Sequence, residues 1–509
     1  MRVLLLLCCL VALPALAEPM GAEDEPTAPR GGVVDPEGLV RLRVQGLRPF
    51  AVDELGTVSG REGWLSSRVL GGVVIRPFEG VTFGVGLEAL TGQLAGSWTS
   101  LGDSVETPFR MSRRRIQELL WVLPRSLYGR YDGPKGTVTA GIQTFGWGTG
   151  MLSNSGDGEP LFGDAWQGGV VARVGGAVTP WRTVEKAGLA RGLAFFGAFD
   201  FVLRDDNAFV YRGDLAVAGI GGLRLRAPRG EVGLLASLRY QRDRRDPQHA
   251  GQERPETLAV PLDLHARWRL LPEDGPVHLT LEGEAAMIGG RTRRSYGEET
   301  VEGSRILSAG GLLRARLDFD RARTSAQVEI GYASGDRDPR DGVTRTFTMN
   351  SDHNVGLILF DQVLPLLTAR AVDRVADPEL TGRPAAGLRH AIAQGGVHNA
   401  LYVHPTVRVR PVHTLDVRIG WVLALAPAPV VDLYQTARNG GWSAGWGGST
   451  GGRLYGNEVD LGVHWTLPLP ARLSVRLGVE GGVFVPGDVF DGLALGVPAT
   501  VRGRMDFRF

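Results

Sequence analysis

Near the carboxyl end, Val501, Gly503, Met505, Phe507 and Phe509 alternate with Arg502, Arg504, Asp506 and Arg508. Consecutive side chains of a strand point to opposite faces, so this segment has one apolar face and one face charged at every position. The pattern recurs. Leu473, Val475, Leu477, Val479, Gly481 and Val483 alternate with Arg472, Ser474, Arg476 and Glu480, and Leu415, Val417, Ile419, Trp421 and Leu423 with Thr414, Asp416 and Arg418. Leu262, Leu264, Ala266, Trp268 and Leu270 oppose Asp263, His265, Arg267 and Arg269; Val277, Leu279, Leu281, Gly283 and Ala285 oppose His278, Thr280, Glu282 and Glu284. Each segment is long enough to cross a bilayer as a tilted strand, for which about 9 to 11 residues suffice.

Backbone polar groups cannot stay unpaired in hydrocarbon, and an open sheet leaves two unpaired edges, so such strands must close on themselves. The predicted fold is all-β, an antiparallel transmembrane β-barrel of about 18 strands, with about 16 as the alternative because single-chain barrels normally have an even number. Further wall segments are expected near 39–46, 67–77, 80–89, 113–123, 136–145, 168–175, 191–202, 213–226, 230–241, 305–319, 323–333, 397–409 and 455–467. Tyr240, Trp268, Tyr332, Trp421 and Trp465 near strand ends fit aromatic belts at the membrane boundary.

Arg2, the apolar run from Val3 to Leu13, Pro14 and the small-x-small triplet Ala15-Leu16-Ala17 form a secretory signal with cleavage expected before Glu18. The run falls short of the roughly 20 apolar residues of a spanning helix. The expected organisation is a signal peptide at 1–17, a flexible segment at 18–38 and a barrel at 39–509, with a lumen or extracellular insertion near 335–395. Cys8 and Cys9 are the only cysteines, so the cleaved chain can form neither a disulfide nor a thiolate metal site. The 56 basic and 55 acidic residues lack the basic excess of a general nucleic-acid binder. An aromatic last residue on an alternating strand fits an assembly signal carried by Phe507 and Phe509, read by barrel-assembly machinery in the bacterial outer membrane, where lipid and lipopolysaccharide are the expected surroundings.

From Phe145 to Gly158 the chain turns glycine-rich and polar, which reads as a tight loop at the barrel rim. A charged loop from Gly335 to Thr348, followed by Asn350-Ser351-Asp352-His353-Asn354, places Asp336, Asp338, Asp341, Asp352 and His353 as a candidate loop site, without a third ligand that would define a metal centre. The apolar run Val355 to Leu367 is expected to form a strand followed by an irregular or helical insertion, broken at Pro365. Arg418, Arg472, Arg476, Arg502, Arg504 and Arg508 form a candidate basic strip in the lumen, which Asp416, Asp460, Glu480 and Asp506 would partly neutralise.

The segments Trp147 to Gly158, Ser351 to Phe360 and Gly396 to Tyr402 resemble an uncharacterised family of outer-membrane β-barrels of myxobacteria and related deltaproteobacteria. Ser334-Gly335-Asp336, Gly456 to Leu461 and Val485 to Asp488 are more distantly similar to alginate-export-type porins, a resemblance that implies an 18-stranded barrel with an arginine-rich conduit. The leading expectation is a porin-like channel for passive or facilitated passage of small solutes or saccharides, anionic ones included. A structural or adhesive barrel and a barrel-embedded lipid or glycan hydrolase are the alternatives. The residues select no catalytic set, cofactor or metal.

Overall fold

In the computed structural model the described residues are 33–102, 119–166, 168–244, 254–272, 275–294, 303–339, 341–381, 396–449, 451–470 and 473–509. The expected signal peptide, residues 18–32 and Arg472 lie outside them. The strands are β1 (Val33–Leu47), β2 (Gly63–Phe78), β3 (Val81–Gly96), β4 (Leu120–Gly133), β5 (Gly136–Phe145), β6 (Gly169–Val178), β7 (Leu193–Arg204), β8 (Leu215–Ala227), β9 (Gly230–Arg242), β10 (Glu256–Arg269), β11 (Val277–Thr292), β12 (Ser304–Phe319), β13 (Thr324–Ala333), β14 (Val343–Thr344), β15 (Ala400–Val412), β16 (Leu415–Leu425), β17 (Leu454–Pro468), β18 (Ser474–Pro486) and β19 (Ala499–Arg508).

Every wall strand pairs antiparallel with its neighbours, and β19 pairs with β1 from Leu39↔Arg508 to Leu47↔Thr500, which closes the sheet. β13 pairs directly with β15. The two-residue β14 makes a parallel bridge to β12 outside that circuit. The wall is therefore an 18-stranded closed antiparallel β-barrel. Closure is tight at one seam: Gly38 and Phe509 exchange backbone hydrogen bonds, and a Cβ at Gly38 would lie 2.1 Å from the Phe509 ring.

The alternation sorts outward from inward as the period of two requires. On β19 Val501 is 57% exposed and Arg502 2%. A one-residue slip would turn Arg502, Arg504 and Arg508 into lipid, at about 2–4 kcal/mol for each arginine near the midplane, which pins the register. Trp268, Tyr332, Trp421 and Trp465 are exposed on the outer face. Among the described residues no helix is long and apolar enough to cross a membrane.

Strand β4 runs to Gly133, ten residues beyond the expected end near 123. Pro124 and Arg125 interrupt its alternation because the pairing with β3 shifts register between Gly86 and Leu87. Connections at one end of the barrel are mostly short, such as those joining β2 to β3 and β4 to β5, while long ones gather at the other end.

Two of the long connections fold inward. The strap, residues 146–166 with Gly168, lies across the lumen instead of forming the expected rim turn. The insert, residues 346–381, contains no wall strand; a π-helical turn, Leu359–Val363, leads into α1 (Leu364–Ala376). Pro365 does not break it, because it sits in the first helical turn, where its missing N–H has no partner to lose. Leu357, Ile358, Leu359, Val363, Leu364 and Leu367 are buried and pack in one apolar cluster with wall residues including Tyr402, Ala424, Tyr455 and Phe484. Glu458 on β17 fixes the entry to α1, accepting the N–H groups of Leu357, Ile358 (2.8 Å) and Leu359 (2.8 Å). Gly356 makes that approach possible: its φ is +71°, and a Cβ there would lie 2.5 Å from the Glu458 carboxylate.

Candidate functional site

The lumen wall carries two differently built sets of charge. Arg226, Glu231, Arg267, Glu282, Arg314 and Glu329 stand directly opposite one another in turn on β8, β9, β10, β11, β12 and β13. Neighbouring strands are about 4.8 Å apart, so each charge lies beside its opposite. Arg226 is 3.4 Å from Glu231, and Arg314 is 3.0 Å from Glu282 and 2.6 Å from Glu329. Glu329 also accepts from Tyr402 Oη at 2.6 Å and lies 3.2 Å from His353 Nε2.

On β18, β19, β1 and β2 the wall balances itself only in part. Asp506 pairs with Arg41 at 2.8 Å and with Arg504, but Arg43 stands directly opposite Arg504, and Arg41 opposite Arg68. Like charges in facing positions are destabilising unless an anion lies between them. Glu88 on β3 answers Arg68 at 3.3 Å, and the strap supplies the other anion. Asp164 lies 2.7 Å from Arg504, 3.1 Å from Arg43, 3.4 Å from Arg41 and 3.7 Å from Arg502. Burial alone would push its carboxyl up, but Arg504, Arg41, Arg502 and Arg43 hold it well below the usual carboxylate range. Glu159 pairs with Arg508 and, at 2.5 Å, with Arg476. Its burial is likewise outweighed by arginines, Arg508 first, and its pKa falls to about 2.

The rest of the strap is anchored by guanidinium groups bound to its backbone carbonyls and by the far wall. Arg68 donates to the carbonyls of Gly156 (3.1 Å) and Ala165 (3.0 Å), and Arg418 to that of Leu161 (2.6 Å). Trp147 Nε1 donates to Asp263 at 3.2 Å, and Thr149 Oγ1 to Glu284 at 2.7 Å. Arg43 stacks over Trp166, with its guanidinium carbon 4.3 Å from the ring centroid. Strap and insert meet where Asp352 accepts the N–H of Trp166 (2.8 Å) and Gly168 (2.7 Å), and where Asn350 N–H donates to the Met151 carbonyl (2.6 Å).

Of the expected strip, Arg418, Arg502 and Arg504 are buried on the lumen face, Arg476 is largely buried and Arg508 is partly exposed. Asp416, Glu480 and Asp506 do sit within ion-pair distance of these arginines. Asp460 lies among buried wall carboxylates and forms no ion pair among the described residues. Arg41, Arg43, Arg68 and Arg125 extend the set onto β1, β2 and β4; the spacing Arg41-Leu42-Arg43 puts two arginines on one face, a signal as legible as Arg502-Gly503-Arg504.

The candidate loop site separates into two. Asp336 accepts the Arg345 N–H at 2.9 Å and Asp338 N–H at 3.1 Å, and Asp341 pairs with the Arg345 side chain at 2.7 Å, closing their own loop. Asp352 and His353 instead bind the strap and Glu329. Among the described residues no group of three or more His, Cys, Asp or Glu could hold a metal ion. Phe507 and Phe509 lie side by side, with ring centroids 6.0 Å apart.

No protein-family model matches the chain, and no curated protein matches it. Among solved structures it is similar to OccAB1 of Acinetobacter baumannii, at 10% identity and a TM-score of 0.49 over 95% of this chain and 98% of that one. It is similar to OprD of Pseudomonas aeruginosa at 12% identity and a TM-score of 0.48, covering 97% and 99% of the two chains. OccAB2 of Acinetobacter baumannii gives 10% identity and 0.47 over 93% and 98%. The fold assignment rests on the closed strand pairing of this chain itself.

Proposed function

We propose that the protein is an outer-membrane porin-like channel for passive or facilitated passage of small solutes or saccharides. The observation that supports it is a closed wall whose outer face is apolar and whose inner face carries charge on every strand from β8 to β13. Such a wall replaces a hydrocarbon barrier with a polar path, and inward loops and facing charges set what passes. Its short connections would face the periplasm and its long ones the exterior, with lipopolysaccharide around the wall and the barrel-assembly machinery reading Phe507 and Phe509. The sequence resemblances to myxobacterial barrels and alginate-export-type porins fit this reading without naming a cargo. Osmotic swelling of liposomes holding the purified, folded protein tests it: swelling should slow as the sugar grows larger, and a folded barrel that admits no sugar overturns it.

A structural or adhesive barrel is the second reading. It is favoured by the apolar cluster that the insert builds inside the wall and by Trp442, 78% exposed on the connection between β16 and β17. A hydrolase would need a nucleophile joined to a base. Ser351 Oγ is bonded to Asp206 (2.6 Å) while His353 is bonded to Glu329 and Tyr402.

A further inference from the structure

Four guanidinium groups converge on Asp164, and among the described residues no wall carboxylate lies between the facing Arg43 and Arg504. The cluster holds more donor capacity than its acids use. Arg502 is 2% exposed, its Nε and Nη1 have no hydrogen-bond partner, and the nearest carboxylate oxygens, on Asp361, Glu480 and Asp164, are 3.5, 3.6 and 3.7 Å away. Burying unanswered positive charge is costly, so the strap's carboxylates stabilise both the wall and their own position across the lumen.

We propose that the strap is a tethered counter-anion, with Asp164 as the residue that sets the charge selectivity of the passage and Glu159 as its weaker partner. This rests on the channel reading. With the strap charged, its carboxylates cancel much of the positive potential of β18, β19, β1 and β2, and the lumen discriminates weakly between small ions. With Asp164 neutral, Arg41 and Arg504 keep Asp506 while Arg43 and Arg502 lose their share of an anion, and the cluster becomes a site for a compact oxyanion, a carboxylate or sulfate answering the lost charge. Glu159 acts less strongly because it and Arg508 are partly exposed, where water screens them.

The test is the reversal potential of single channels under a potassium chloride gradient, for wild type, D164N, D164E and E159Q. D164N should lower the potassium-to-chloride permeability ratio by about threefold or more, E159Q should lower it less, and D164E should restore the wild-type value. A parallel measurement needs no current. Sodium sulfate should raise the heat-unfolding midpoint of D164N more than that of wild type or D164E, compared at equal ionic strength. D164N with a wild-type ratio and a wild-type sulfate response overturns the proposal. If D164N does not fold, E159Q carries the test, and an unchanged ratio there overturns it. A folded wild type that passes no current defeats the channel reading instead, and the sulfate comparison then decides this one.

Discussion

Strands β8 to β13 and strands β18 to β2 both turn arginines into the lumen, but the charges that answer them come from different places. In the first region the answer is written in the wall, where Arg226, Glu231, Arg267, Glu282, Arg314 and Glu329 alternate at one register. In the second the wall's Asp506 supplies only part of it, and the rest comes from Asp164, 121 positions from Arg43 along the chain and 340 from Arg504. The difference teaches that a lumen arginine is not by itself a solute contact. The alternating row behaves as a structural belt, whereas the strapped cluster holds a charge that can in principle be uncovered.

The largest expected effect falls on the belt. Glu329→Ala should destabilise the folded barrel by about 3 kcal/mol or more, because it removes one of the two carboxylates that hold Arg314 and the shared partner of Tyr402 and His353. Denaturant unfolding in micelles checks this, and a variant as stable as wild type would dissolve the idea of a belt. At the seam beside the strapped region, Gly38→Val should cost about 1–3 kcal/mol by forcing the Phe509 ring away, read as a lowered heat-unfolding midpoint.

The strapped region should be insensitive to mild acid. Folding lowers the Glu159 pKa from 4.5 to about 2 and that of Asp164 well below 3.8, so the stabilisation from both is fully present above those ordinary values. It is lost only as the pH falls through the depressed values, near pH 2 for Glu159. Ion selectivity measured from neutral pH downwards should hold steady through the ordinary carboxylate range; a change near pH 4.5 would show that Glu159 is not clamped. The smallest effect is expected for Arg267→Gln. That side chain faces the lumen in an exposed stretch of β10, and its loss should change stability by less than about 1 kcal/mol in the same unfolding experiment.

Much of the wall was legible because a period of two writes both faces at once, as in Val501 to Phe509 and Leu262 to Leu270. β4 was legible only at its start, since Pro124 and Arg125 mask the alternation at a register shift. The strap's turn chemistry was visible, but not the direction in which it folds. Its carboxylates find partners far away in sequence, Glu159 lying 317 positions from Arg476. For the same reason each member of the β8 to β13 row could be assigned to a lumen face, while the alternation between strands appears only once their registers are fixed. The insert's apolar run from Val355 to Leu367 satisfies the composition of a lipid-facing strand and of a buried helix equally well; the three N–H groups bound by Glu458 are what commit it to the lumen.

The most direct test of the account is the current through purified wild-type protein inserted in a planar bilayer. The account predicts steady ion-conducting steps, since strap and insert occupy the lumen of a polar-walled barrel without replacing its inner charged face. A barrel that is folded and inserted yet stays electrically silent would contradict it.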